Sequence, residues 1–276
     1  MSPLMSQMTW PEIDAAARRG AAAVWTVGST EQHGPHLPVS VDTVIPTRLA
    51  ERVAEALDLV IVPPQVFGFR SRPLSGGGQG FPGTTSLRAE TLIGVVRDVV
   101  GEIARSGFRR IVIINWHGEN VNLLYEGVEL AREAGLLAGA RVQLIERVLN
   151  GLTPADCAFL FADTVEGFPG WPAEHAAVME TSLMLELAPE LVRTERIIDD
   201  RSAQRPFYDV IPTPPEHIAA SGVLAEATKA SPEKGRRLAA LLVSLLSAAM
   251  VEALAVPAVP PVPGDAAGGP AGEVPR

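Results

Sequence analysis

Four short apolar runs mark the first half of the chain, separated by longer stretches whose apolar residues recur at helical spacing. The runs Ala22–Val27, Leu59–Val62, Arg110–Ile114 and Val142–Ile145 are brief and rich in β-branched residues, which predicts buried strands. The segments between them, at about Val44–Leu57, Ala89–Ser106 and Asn122–Ala134, predict helices; the second sets Leu92, Val95, Val96, Val99 and Ile103 on one face and ends at Gly107, a natural C-terminal stop. Two further helices are predicted at roughly Ala173–Leu187 and Pro232–Leu254. Strands alternating with helices in this way are the pattern of an α/β layer fold around a largely parallel sheet.

The remainder refines that picture. Segment 190–230 is rich in Pro and polar residues and is predicted to wrap the surface or meet a neighbouring subunit. Residues 1–254 form a single predicted domain, and Ala255–Arg276, a Pro, Gly and Ala stretch with little to bury, a mobile tail. The apolar window Leu238–Val256 is broken by Ser244, Ser247 and Glu252, so a buried or amphipathic helix is expected rather than a membrane span. A formal charge of -9 disfavours nucleic acid as a partner. The single cysteine, Cys157, has no disulfide partner within the chain, and the opening residues MSPLMSQMTWPEID lack the pattern of a secretory signal; both favour the cytoplasm.

Candidate chemistry gathers just past two strands. The first strand runs into GSTEQHGPHLPVSVDT, which carries Glu31, His33, His36 and Asp42 on one loop. Open α/β sheets place ligand sites at such strand ends, and these side chains supply the nitrogen and oxygen donors that zinc and manganese accept. A solvated turn with helix-capping duties has the same composition. A second strand, RRIVIIN, ends in NWHGEN and adds His117 and Glu119 at the same sheet edge if the two strands are parallel neighbours. Matching donor sets on two turns favour a metal site over a pair of caps. The five candidates Glu31, His33, Asp42, His117 and Glu119 exceed the needs of one tetrahedral ion, so a two-metal centre bridged by Asp42 is expected, of the kind that activates water for hydrolysis.

Two other segments bear on substrate. The glycines of SGGGQGFPGTTSL permit close backbone approach to a ligand, and Ser75 is placed to donate to it; a flexible surface turn is the alternative. In GFPGWPAEHAAVMETSLML, Glu174 and His175 fall in the first turn of a predicted helix after Trp171. A helix N-terminus there would lower the pKa of His175 and suit it to proton transfer, whereas in isolation the pair reads as a dipole-complementing Glu and a packed His.

Together GSTEQHGPHLP with Asp42, SGGGQGFPGTTSL, NWHGEN and GWPAEHAAVMETSLML resemble the creatininase family over roughly residues 8–238. The resemblance implies a three-layer α/β/α sandwich, two divalent ions per subunit (Zn2+ and/or Mn2+), and a homohexamer. It implies metal ligation by the same five residues, substrate contacts at Ser75, Trp171 and Gly118, and proton transfer by His175 beside Glu174. The implied activity is hydrolysis of a small cyclic amide, creatinine or a close analogue, by a metal-bridging hydroxide. Larger cyclic amides or peptides are the alternative substrates, and a non-catalytic metal-dependent binding protein is a third reading. The chain departs from the family pattern where a Tyr is replaced by Gly118 and an Asp by Pro172, and IERVLNG at 145–151 lacks a Trp; these changes enlarge the substrate pocket and leave the metal donors intact.

Overall fold

The computed structural model describes residues 3–146, 148–202 and 206–260. Its centre is a four-stranded sheet of β1 (Ala22–Val27), β2 (Leu59–Gln65), β3 (Arg110–Asn115) and β4 (Arg141–Ile145) in the order β2-β1-β3-β4. Every pairing is parallel. Around the sheet run α1 (Trp10–Arg19), α2 (Val41–Val53), the single turn α3 (Pro73–Gly76), α4 (Ala89–Arg105), α5 (Val121–Glu133), α6 (Pro154–Phe161), α7 (Val178–Leu187) and α8 (Pro232–Leu254).

Alternation along the buried strands divides the core into two layers. Ala22 and Val24 of β1 with Val112 and Ile114 of β3 face Ile45 and Leu49 of α2, Leu183 of α7 and Leu242 of α8. Ala23, Trp25, Ile111 and Ile113 point the other way, to Ala16 of α1, Val96 and Val100 of α4 and Leu124 of α5. Both faces are covered, as an all-parallel sheet requires, and the result is the three-layer α/β/α sandwich. By length and composition α8 is apolar enough to cross a membrane. Its apolar stripe, however, from Leu238 and Leu242 to Leu246 and Met250, is buried in the first of these layers.

Several boundaries differ from those predicted. β2 continues through Pro63 and Pro64, which is tolerated because β2 is the edge strand of the sheet and its outer side is met only at Ile61, by the segment Pro3–Leu4, among the described residues. α2 begins at Val41, so Asp42 lies in its first turn. α7 begins at Val178 instead of Ala173; a 3-10 turn, Trp171–Ala173, precedes it, and Ala176 adopts a left-handed φ of 55°. His175 therefore lies outside the helix, and the helix dipole does not govern it. α1 and α6 were not anticipated, although Thr9 with Glu12 and Thr153 with Asp156 form capping boxes that mark their starts. In the stretch expected to be a tail, Asp58 N–H donates to Pro257 O at 2.8 Å and Val259 N–H to Ala56 O at 3.0 Å, so the chain after α8 satisfies backbone groups after α2. Residues 261–276 lie outside the described residues.

The parallel arrangement sends every strand's carboxyl end to the same edge. β1 and β3 lie side by side while their crossovers depart in opposite directions, and the crevice outside such a switch point is where α/β folds bind ligands. Gly28 closes β1 against the start of α2: a Cβ there would lie 2.2 Å from the Asp42 carbonyl oxygen. Gly28→Ala is accordingly expected to destabilise the fold by about 1–3 kcal/mol. Urea denaturation measures this, and an unchanged midpoint would show that α2 is free to shift.

Candidate metal centre

The switch-point crevice gathers buried carboxylates and imidazoles from three segments. The loop after β1 brings Glu31 and His33, the first turn of α2 brings Asp42, and the loop after β3 brings His117; all four are at most 3% exposed. Asp42 stands at the centre. One of its oxygens, Oδ2, lies 3.2 Å from His117 Nδ1, and the other, Oδ1, lies 3.3 Å from His33 Nε2. Glu31 Oε2 is 3.0 Å from His117 Nδ1, and Glu180 Oε2, from α7, is 3.6 Å from His33 Nε2. Two donor triads result, Glu31–Asp42–His117 and His33–Asp42–Glu180, each compact enough to hold an ion and each using Asp42. The structure also groups Glu31, His33 and His175 in this way.

Outer hydrogen bonds aim both imidazoles. His33 Nδ1 is 3.0 Å from the Glu31 carbonyl and His117 Nε2 is 3.0 Å from the Phe69 carbonyl, so each ring donates its outer N–H and directs its other nitrogen to the centre. Phe69 is held in turn by Asn120 Oδ1, which accepts its N–H at 2.8 Å. Glu180 accepts from Trp116 Nε1 at 3.1 Å and from the Ala176 N–H at 2.8 Å, which fixes its carboxylate beside His33. Glu31 Oε1, His33 Nε2 and Asp42 Oδ2 are buried with no hydrogen-bond partner among the described residues. Buried polar atoms are normally satisfied, so orphans of these types converging on one point fit a divalent cation.

The electrostatics agree. Burial alone would lower the pKa of His33, but Asp42, Glu180 and Glu31 outweigh it and push the group up to about 10. His117 rises well above its usual range, since Glu31 and Asp42 overcome the same burial. Asp42 lies far below the carboxylate range: burial opposes ionisation, and the two imidazoles reverse it. The cluster is built to hold positive charge.

Other residues singled out in the sequence border the cavity, about 740 Å³ in volume, that opens onto the centre. Glu119 lies outside both triads: it accepts from Ser75 Oγ and from the Arg72 N–H, and its Oε2 is 3.5 Å from the outer nitrogen of His117. His175 packs its ring 4.2 Å from that of His33. The amide of Gln32 donates both protons, to Gly76 O at 2.8 Å and Gly222 O at 3.0 Å. His175 Nε2 is therefore the donor to the Gln32 carbonyl at 2.8 Å, which leaves Nδ1 as its basic nitrogen. Burial, aided by His33, lowers His175 to about 4, so it is neutral at physiological pH. Burial raises Glu174 to about 8; its Oε2 accepts from Met179 N–H at 3.0 Å, and its Oε1 is buried without a hydrogen-bond partner among the described residues. Trp171, Pro172 and Gly118 line the same cavity, and a Cβ on Gly118 would meet nothing within 4 Å. His36, by contrast, is fully buried and its Nε2 bonds Thr181 Oγ1 at 2.8 Å, a packing role.

Sequence reasoning missed Glu180. Its signal was a carboxylate flanked by Val178, Met179, Leu183 and Met184 in the apolar first turns of α7.

Comparison with known proteins agrees with this geometry. The family model described as creatininase, creatinine amidohydrolase, matches residues 6–250. Creatinine amidohydrolase of Pseudomonas putida is 39% identical over 252 residues, covering 91% of this chain and 97% of the relative. A mycofactocin precursor peptide peptidase of Mycobacterium tuberculosis strain H37Rv is 34% identical, covering 79% of each. The solved structure of a manganese form of creatininase superposes with a TM-score of 0.85 at 39% identity, covering 91% of this chain and 98% of its own. The fold and the site thus define a metal-dependent hydrolase of three-layer α/β/α architecture, and the chain belongs to the creatininase family.

Because both imidazoles hold protons in the metal-free centre, binding of divalent ions must displace them. Zinc added to stripped protein at neutral pH is expected to release a proton from each of His33 and His117, and affinity to rise with pH up to about 10. Calorimetry in buffers of different ionisation enthalpy measures the release. Binding with no proton release would show that the imidazoles are not displaced.

Proposed function

We propose that this chain is a metal-dependent amidohydrolase that opens a cyclic amide, creatinine or a close analogue, by adding water across its C–N bond. The observation that carries the reading is the pair of buried donor triads sharing Asp42 at the floor of a cavity. Family membership and the creatinine amidohydrolase relative support the same chemistry. Glu31, Asp42 and His117 are proposed to hold one ion, with Glu119 closing the set from the cavity side, and His33, Asp42 and Glu180 the other; zinc and manganese suit such mixed imidazole and carboxylate donors. Bound divalent ions would lower the pKa of water towards neutrality and polarise the scissile carbonyl.

The chain's own residues supply the proton traffic. His175 is neutral, with Nε2–H committed to the Gln32 carbonyl, so it acts first as a base. Its Nδ1 takes a proton from the attacking water and returns it to the ring nitrogen as the C–N bond breaks; the ring opens with that nitrogen still tethered, and the carbonyl carbon, now a carboxylic acid, gives its proton to solvent and becomes a carboxylate. Glu174, kept protonated by burial, borders the cavity. Ser75 and Trp171 flank the substrate, and the backbone of Gly76 covers Glu31 so closely that a Cβ there would lie 1.7 Å from Oε1. The cytoplasm and a homohexamer are the proposed setting.

His175→Ala is expected to lower turnover about 10²- to 10⁴-fold while two ions per chain remain bound. Glu180→Gln is expected to leave one tightly held ion. Metal analysis beside a creatinine hydrolysis assay reads both; loss of metal from the His175 variant would reassign that residue as a ligand, and full metal content in the Glu180 variant would remove Glu180 from the centre.

A further inference from the structure

The cavity has more room than a single small lactam fills, and apolar and aromatic residues line it beyond the metal centre. At about 740 Å³ it lies within the range of sites that enclose drug-sized ligands. The centre and its polar groups occupy the floor. Beyond them the wall opens at Gly118, where a side chain would meet nothing within 4 Å. Val148, Leu149 and Pro172 form the adjoining wall.

At the mouth stand Phe207 and Tyr208. Phe207 borders the cavity while being 100% exposed, and Tyr208 is 52% exposed, its ring edge-on to Phe207 with centroids 5.3 Å apart. An aromatic pair that borders an apolar cavity and is covered by so little of its own chain is suited to an apolar group arriving with a ligand. Arg72 and Asp209, 3.6 Å apart, pair with each other at the cavity border, so neither is left unpaired to attract an ionic substituent.

We infer that the substrate is an amide bearing an aromatic substituent next to its carbonyl, seated between Gly118, Leu149 and Phe207 while the amide lies over the metal centre. This rests on the amidohydrolase reading and specifies its substrate class. Hydrolysis of such an amide breaks the C–N bond, gives the carbonyl carbon the oxygen of water, and leaves a proton on the nitrogen.

The test uses the full-length, metal-loaded protein and two probes, creatinine and its analogue with a benzyl group on the ring carbon beside the carbonyl. Calorimetry is expected to show the benzyl analogue binding about ten- to a hundredfold tighter, the gain for burying one such group. Gly118→Tyr, which fills the opening, and Phe207→Ser, which removes the mouth ring, are each expected to reduce that ratio at least about threefold. Equal affinities, or tighter binding of creatinine, would overturn the inference, as would a ratio that both variants leave untouched. Turnover is read separately: a benzyl preference in binding with no hydrolysis of either probe would defeat the hydrolytic reading of these lactams and leave the pocket assignment standing.

Discussion

The structure turns on one buried carboxylate. Asp42 lies between His33 and His117 with an oxygen towards each, 3% exposed, in the first turn of α2 where the helix dipole favours negative charge. A charge buried this deeply is unfavourable unless compensated, and the surrounding frame supplies compensation from every side. β1 ends in Gly28 so that α2 can begin against it, β3 delivers His117, and the left-handed turn at Ala176 lets α7 bring Glu180 to His33. Parallel strands with β1 and β3 adjacent are what place these segments together.

Much of this was legible in the sequence because the relevant signals are local. Apolar runs ending in donor-rich turns marked β1 and β3, and the donors Glu31, His33, Asp42 and His117 converge as their spacing implied. What was illegible depended on tertiary context. Glu180 looks like any helical glutamate until Val178–Met184 of α7 is seen to be buried on every side. Glu119, beside His117 in the sequence, stands on the cavity side of the centre, where its carboxylate accepts from Ser75 and the Arg72 backbone, contacts that only the folded loops bring about. The low pKa of His175 was traced to a helix terminus that does not reach it, whereas burial beside His33 causes the shift. The first residues after α8, up to Pro260, read as unattached because their partners are backbone groups, which no side-chain pattern reveals.

Reaction class and substrate choice lie in different parts of the molecule. The donors and their outer hydrogen bonds occupy the floor of the crevice, where the Asp42 backbone leaves no slack at Gly28 and the Glu31 and Gln32 side chains leave none at Gly76 and Gly222. The cavity walls at Gly118, Leu149, Pro172 and Phe207 belong to loops, where substitution alters shape without touching the centre. Relatives named for creatinine and for a precursor peptide are compatible with that division.

The most direct test of the central claim is the metal content of Asp42→Asn after reloading with zinc. If Asp42 serves both triads, this one substitution should cost both tightly held ions, together with turnover. A folded variant that retains either ion at full occupancy would contradict the shared-carboxylate centre.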